Sequence, residues 1–241
     1  MKILIIIPAY NEQDNIQRLI ANLQREKQLQ YDLLIINDCS TDHTSQVMRE
    51  MNVPVVDLPC NLGIGGAVQT GYKYAKQHGY DVAVQVDGDG QHNPRFIAKI
   101  VEPILKGEAD FVIGSRYIEK EGFQSTALRR AGIYYFSKLI YLFTRHKITD
   151  PTSGFRACNA EIIDIFAKNY PIDYPEPESI VVLTRKKFRL KEVPVVMEER
   201  SAGISSIKSL KSAYYMIKVS LAILIDLLRE RTGGRVKSDF V

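Results

Sequence analysis

The sequence predicts an α/β fold with a mostly parallel central sheet, followed by amphipathic helices at the C-terminal end. Short apolar runs alternate with helical patterns as far as residue 116. The connections between them are short, as in strand–helix units that place helices on both faces of a parallel sheet. After residue 116 the rhythm changes to longer amphipathic patterns, which sets the rest of the chain apart.

Ile3 to Ile7 is a β-branched run stopped by Pro8. It reads as a strand buried on both faces, being too short for a signal-peptide core or a membrane span. Glu12 to Glu26 carries Ile16, Leu19, Ile20 and Leu23 at helical spacing. Leu33 to Ile36 is the next strand, and Thr41 to Met51 a helix capped by Ser40 or Thr41. Val53 to Val56 is a third strand, and Gly65 to His78 a helix ending near Gly79. Val82 to Val86 is a fourth strand, Pro94 to Leu105 a helix, and Phe111 to Gly114 a fifth strand. Arg129 to Arg145 is an amphipathic helix rich in Tyr and Phe, Asp150 to Arg156 a loop, and Glu161 to Lys168 a helix. Tyr174 to Glu178 opens a helix running to about Lys187, and the proline on either side of Glu176 favours an extended start. Leu190 to Met197 is a strand, and Ser205 to Arg231 one long helical pattern. The expected division is a domain over 1–204, an amphipathic helix over 205–231 and a polar tail over 232–241.

Composition narrows the function classes. The chain has 241 residues, 45% apolar and 25% charged, which excludes a disordered or fibrous protein. A formal net charge of +4 is too small to argue for nucleic acid. Basic residues crowd the end, with Lys208 and Lys211 before an apolar stretch from Ala213 to Leu228, and Arg229 and Arg231 after it. Such an end suits anionic lipid headgroups, or else is a solvated charged face. The stretch is shorter than the roughly 20 residues a span needs, and Lys218 and Asp226 interrupt it. It is expected to lie in a membrane interface, the alternative being packing on the domain or in a dimer. The cysteines Cys39, Cys60 and Cys158 lack metal-ligand spacing, which argues against zinc and suits the reducing cytoplasm.

In open parallel sheets, ligands bind outside the carboxyl ends of the strands. At one such end stands Asp87-Gly88-Asp89, two carboxylates one residue apart that suit a hard cation such as Mg²⁺ or Mn²⁺. Gln91 could add a third oxygen, and a cation there would neutralise a diphosphate leaving group. A calcium loop starting at Asp87 would need Gly at His92 and Glu at Ala98, so that reading fails. Gly63-Ile64-Gly65-Gly66 lacks the third glycine of a dinucleotide fingerprint, which would fall at Val68, and it follows the third strand instead of the first. The cluster, Gly66 included, allows close backbone approach beside a nucleotide, or only a tight turn into the helix.

Several motifs occur in order: Pro8-Ala9-Tyr10-Asn11-Glu12, Asn37-Asp38-Cys39-Ser40-Thr41-Asp42, Asn61-Leu62-Gly63, Asp87-Gly88-Asp89-Gly90-Gln91, Gly114-Ser115-Arg116 and Asp150-Pro151-Thr152-Ser153-Gly154-Phe155-Arg156. Together they resemble glycosyltransferase family 2, in its branch similar to dolichyl-phosphate mannosyltransferase and bacterial polyprenyl-phosphate glycosyltransferases. The likeness runs to about residue 206. It implies a single nucleotide-diphospho-sugar transferase domain of GT-A type and inverting transfer of a hexose from a UDP- or GDP-sugar. The implied acceptor is polyprenyl phosphate at the cytoplasmic face of a membrane, where the protein is peripheral. A membrane partner subunit or a homo-oligomer stays open. Extension of a cell-wall or lipid-linked polysaccharide on a sugar hydroxyl is the alternative. A nucleotidylyltransferase would need basic residues in a Gly-rich loop after the first strand, where Pro8-Ala9-Tyr10-Asn11-Glu12 has none.

By the resemblance, Pro8, Ala9, Tyr10, Glu12 and Asp38 hold base and ribose, Asp87 lies against the nucleotide, and Asp89 with Gln91 binds the metal. Glu12 and Asp38 can accept from base N–H groups and ribose hydroxyls. Arg116, Arg129, Arg130, Arg156 and Arg200 stand in predicted loops or helix starts, where guanidinium forks suit phosphate. The resemblance matches Arg116, Arg130 and Arg200 to the family's arginines, and Ser206 stands where that branch usually has Lys. A sugar hydroxyl needs a general base, and Glu178 is its candidate; a lipid phosphate needs none. Glu178 could equally complement the dipole at its helix start.

Overall fold

The computed structural model describes residues 1–172 and 175–199, together with Lys218, Ser220 and Leu221. The expected C-terminal helix and tail, Arg200 and Ser206 lie outside the described residues, apart from those three positions. The chain divides into two compact units, Met1–Ile204 and Ser205–Val241, and the fold below is that of the first.

Seven strands form one sheet in the order β3-β2-β1-β4-β6-β5-β7. β1 (Ile3–Ala9) is buried along its whole length, as an uninterrupted Ile-rich strand flanked on both faces must be. It pairs in parallel with β2 (Asp32–Asn37) and β4 (Val82–Gln85), and β2 pairs in parallel with β3 (Val55–Asp57). β5 (Phe111–Ser115) pairs in parallel with β7 (Leu190–Pro194). The helices α1 (Ile16–Arg25), α2 (Thr44–Arg49), α3 (Gly63–Gln77) and α4 (Ile97–Leu105) follow β1 to β4 in turn. Ile16, Leu19, Ile20 and Leu23 of α1 are buried against the same core as Ile3, Ile5 and Ile7. At roughly 1.5–3 kcal/mol for each fully buried aliphatic side chain, that face alone anchors the helix.

The sheet is mixed, not uniformly parallel. Arg156–Asn159 is a strand, β6, inserted antiparallel between β4 and β5. The sequence reading ended a loop at Arg156, because four residues bounded by Arg and Asn show no period. Their burial comes from neighbours on both sides. The insertion has a geometric consequence: β6 begins at the edge where β1, β2, β4 and β5 end.

Two further differences concern helix starts. α7 (Pro175–Arg185) includes Pro175, Glu176 and Pro177 in helical conformation. First-turn N–H groups have no partner within a helix, so proline loses nothing there. α5 (Ala127–Thr144) begins at Thr126, whose hydroxyl accepts the Arg129 N–H at 3.4 Å, and Arg145 closes it in the left-handed region at φ 60°. α6 (Ala160–Lys168) is capped by the Asn159 side chain, which accepts the Ile162 N–H at 3.1 Å.

Candidate active site

The carboxyl ends of β1 and β2 are joined directly, the Asp38 N–H donating to the Ala9 carbonyl at 2.9 Å. Asp38 is buried, and its Oδ1 accepts the Leu62 N–H at 2.7 Å, fixing the turn into α3. Glu12 is also buried: its Oε2 accepts from Asn15 Nδ2 at 2.7 Å and its own N–H donates to Thr44 Oγ1 at 2.9 Å. A carboxylate has about four acceptor sites, so the bond from Leu62 leaves Asp38 capacity for a ligand. Tyr10, on the turn after Pro8 and Ala9, is 46% exposed. Asn11, at φ 55°, shapes that turn, its Oδ1 accepting the Thr41 N–H at 2.8 Å. Gly66 has a local explanation: an added Cβ would collide with the Leu62 side chain.

At the end of β4 the Asp87 carboxylate is held from several sides. Gln85 Nε2 donates to Oδ1 at 2.9 Å. His92 lies buried behind it, with Nδ1 accepting the Asp87 N–H at 3.0 Å and Nε2 3.7 Å from Oδ2. Since Nδ1 accepts, the ring proton of neutral His92 sits on Nε2, facing the carboxylate. His92 stacks on Phe155 at 4.8 Å between centroids. Asp89 is half-buried and its Oδ1 accepts the Gln91 N–H at 3.1 Å. The Gln91 amide nitrogen donates to the Glu198 carbonyl at 3.3 Å, leaving its oxygen as the atom a cation would take. Among the described residues no group of three or more His, Cys, Asp or Glu gathers as a metal site. Asp87 and Asp89, with Gln91, still fit a hard cation of the Mg²⁺ or Mn²⁺ type, because such ions take few protein oxygens and keep water and substrate phosphate.

The arginines divide by environment. Arg156 is buried and donates to the carbonyls of Ser153 at 2.5 Å, Glu176 at 2.8 Å and Pro151 at 3.0 Å, and to Ser179 Oγ at 2.8 Å. It ties β6 and the preceding loop to α7, so its expected place among phosphate-binding arginines is corrected. Arg116 forms a two-point pair with Asp150, from Nε at 2.7 Å and Nη2 at 2.9 Å. Arg130 is exposed in the first turn of α5, with Nη1 donating to the Ser125 carbonyl at 2.9 Å. Burial raises the Tyr117 hydroxyl, while the charges of Arg116, Arg130 and Arg129 oppose the rise. The Arg116 guanidinium lies over the Tyr117 ring, 5.5 Å from its centroid. Burial likewise raises the Glu176 carboxyl, with Arg156 opposing and Asp87 adding to it. Glu176 is thus electrostatically linked to Asp87, whereas the sequence singled out Glu178. Both stand in the first turn of α7.

The pattern of Glycosyl transferase family 2 matches residues 4–166. The chain belongs to glycosyltransferase family 2. It is an enzyme that transfers sugar from a nucleotide-sugar donor. It is 31% identical over 214 residues to the UDP-N-acetylglucosamine–dolichyl-phosphate N-acetylglucosaminyltransferase of Methanococcus voltae, covering 80% of this chain and 84% of that one. Identity to the dolichol-phosphate mannosyltransferase of Pyrococcus furiosus is 32% over 216 residues, covering 86% of this chain and 60% of the relative. The undecaprenyl-phosphate mannosyltransferase of Micrococcus luteus is 30% identical over 217 residues, with 85% and 87% covered. The fold matches glucosyl-3-phosphoglycerate synthase from Mycobacterium tuberculosis, crystallised with Mn²⁺, UDP and phosphoglyceric acid. Its TM-score is 0.71 at 18% identity, with 93% of this chain and 78% of that one covered. Among the described residues of this family member, no helix is long and apolar enough to cross a membrane.

Gly154 and His92 adjoin Asp87, and Asp150 with Glu192 stands behind Arg116; the sequence alone assigns none of these four a role. Asp150 and Gly154 stood within a quoted motif, so position alone flagged them. His92 and Glu192 carried no signal, because their partners are set by the sheet and by the chain's return after β7.

Proposed function

We propose that this glycosyltransferase moves a hexose from a UDP- or GDP-sugar to polyprenyl phosphate at a membrane surface, with inversion at the anomeric carbon. A lipid phosphate oxygen attacks C1 as the bond from C1 to the nucleoside diphosphate breaks. Tyr10, Glu12 and Asp38, with the backbone of Pro8 and Ala9, hold the nucleoside; Asp87 and Gly66 lie along the donor. Mg²⁺ or Mn²⁺ held by Asp87, Asp89 and Gln91 would neutralise the leaving diphosphate. Arg116 and Arg130 meet phosphate, and Arg200 is assigned with them from the sequence alone.

The observation that carries this reading is the basic character of this end of the sheet, with Arg116 over the Tyr117 ring after β5 and Arg129 and Arg130 in the first turn of α5. A basic end suits a nucleophile that is itself an anion and needs no base. The relatives named above, by their names, act on dolichyl or undecaprenyl phosphates. Along α5, Arg130, Tyr134, Lys138, Tyr141, Leu142 and Arg145 are exposed at helical spacing, Tyr134 at 64% and Leu142 at 60%. Aromatic and basic side chains on one face suit headgroup depth, which supports peripheral membrane attachment. The second reading, transfer to a sugar hydroxyl, is favoured by Glu176 and Glu178 at the start of α7.

A thermal-shift screen of UDP-glucose, UDP-N-acetylglucosamine and GDP-mannose with Mn²⁺, followed by transfer assays, tests the proposal. Product on polyprenyl phosphate is expected. Product only on sugar hydroxyls would overturn the acceptor assignment. In liposome flotation the protein should rise with anionic vesicles, and remaining at the bottom at low salt would remove the membrane from the account.

A further inference from the structure

We infer that Asp150 and Glu192 are positioning residues that fix Arg116 so that one edge of its guanidinium is presented to phosphate. This rests on the reading above that Arg116 meets a phosphate.

A free arginine would meet phosphate with two parallel N–H groups. In Arg116 that fork is already committed. Asp150, fully buried, accepts Nε–H at 2.7 Å and Nη2–H at 2.9 Å, and also the Arg116 backbone N–H at 3.3 Å. Thr152 Oγ1 takes a further contact from Nη2 at 3.3 Å. Among the described residues no partner engages Nη1, and the side chain is only 12% exposed. Arg116 is therefore a clamped donor with its Nη1 edge left over, not a swinging one.

The clamp is itself held. Glu192 Oε1 accepts the Asp150 N–H at 2.9 Å and the Thr149 hydroxyl at 3.1 Å, while Oε2 accepts the Thr149 N–H at 2.8 Å. With the Thr149 hydroxyl donating to Glu192, Ser115 must donate to Thr149 across their 2.7 Å contact. The chain of bonds therefore runs in one direction, from Ser115 through Thr149 to Glu192. Glu192 lies on β7 opposite Ile113 of β5, two residues before Ser115. The strand pair thus sets where Asp150 sits, and Asp150 sets where Arg116 points. A carboxylate accepts all three of these bonds, whereas a glutamine must turn an N–H toward one of the donors.

Two measurements on the full chain decide. In nitrogen-15 NMR, the Arg116 Nε–H signal, identified by its loss in Arg116→Lys, should exchange slowly in the wild type and about tenfold faster in Glu192→Gln. In a double-mutant cycle with the donors above and polyprenyl phosphate, Asp150→Asn should lower kcat/KM about 10–100-fold alone but less than about twofold in an Arg116→Ala background. Free guanidinium should restore turnover to Arg116→Ala and not to the double variant. Equal losses in both backgrounds, or unchanged Nε–H exchange in Glu192→Gln, would overturn the inference. Full activity of Arg116→Ala would instead overturn the phosphate reading beneath it.

Discussion

Gly154 lies against the Asp87 carboxylate so closely that an added Cβ would collide with Oδ2. The loop leading into β6 therefore forms a wall of the Asp87 site, and only a bare Cα fits there. Gly154→Ala should push Asp87 from its bond with Gln85 and lower transfer by at least about tenfold, equivalent to 1.4 kcal/mol in the barrier. Circular dichroism should be unchanged. Wild-type kinetics in this variant would show that the carboxylate can move without consequence.

Asp89→Asn should abolish transfer while leaving the thermal midpoint within a few degrees of wild type. Chelation by EDTA should do the same, with recovery on adding Mn²⁺ or Mg²⁺. Undiminished turnover in EDTA would sink the metal-assisted mechanism.

Arg130→Ala should cost far more rate than Arg25→Ala, an exposed arginine in the last turn of α1. Arg18 is a poorer control, since a Cβ at Gly90 would lie 3.4 Å from its Nη2. About 2 kcal/mol or more of transition-state stabilisation is expected from a charge-assisted phosphate contact. Small, equal effects of the two substitutions would take Arg130 out of the site.

Glu178→Gln separates the two acceptor classes. Transfer to a lipid phosphate should survive it, because the nucleophile is already ionised. Complete loss with donor binding intact would identify a hydroxyl acceptor and Glu178 as its base.

Asp110 joins the starts of β5 and β7, accepting from Arg189 Nη2 at 2.7 Å, Nε at 3.0 Å and N–H at 2.8 Å. The Arg189 side-chain hydrogen bonds hold its carboxyl below the ordinary value of 3.8, against the opposing effect of burial. A depressed carboxyl stabilises the fold above the unfolded value and loses that contribution as pH falls through the folded one. Asp110→Asn should cost about 1 kcal/mol at pH 7, a modest figure because Arg189 is largely exposed. The gap from wild type in urea titrations should close below pH 3.8. A gap independent of pH would mean that the pair contributes only shape.

The sheet edge that carries the candidate donor residues was legible in the sequence because its physics is local. Ile3 to Ile7 announces a buried strand, and the polar residues that follow it must stand at the sheet edge. The same logic found Asp38 and Asp87. What escaped depends on partners far along the chain. β6 has no period of its own, and its register is dictated by β4 and β5. Arg156 looks like any loop arginine until the fold encloses it in carbonyl oxygens. Glu192 and Asp150 are 42 positions apart, a separation no local pattern spans.

Because β6 runs against its neighbours, the chain leaves the sheet at Ser115 and re-enters at the same edge after Asp150. The salt bridge between Arg116 and Asp150 fastens the two ends of that detour across 34 positions. Between those ends α5 packs against α7, and Gly122 and Phe123 meet Met197 beyond β7, so the detour is fastened to the domain at more than its two ends. A protein engineer who exchanged this detour between family members would have to carry α7 and the stretch from Glu192 to Met197 with it.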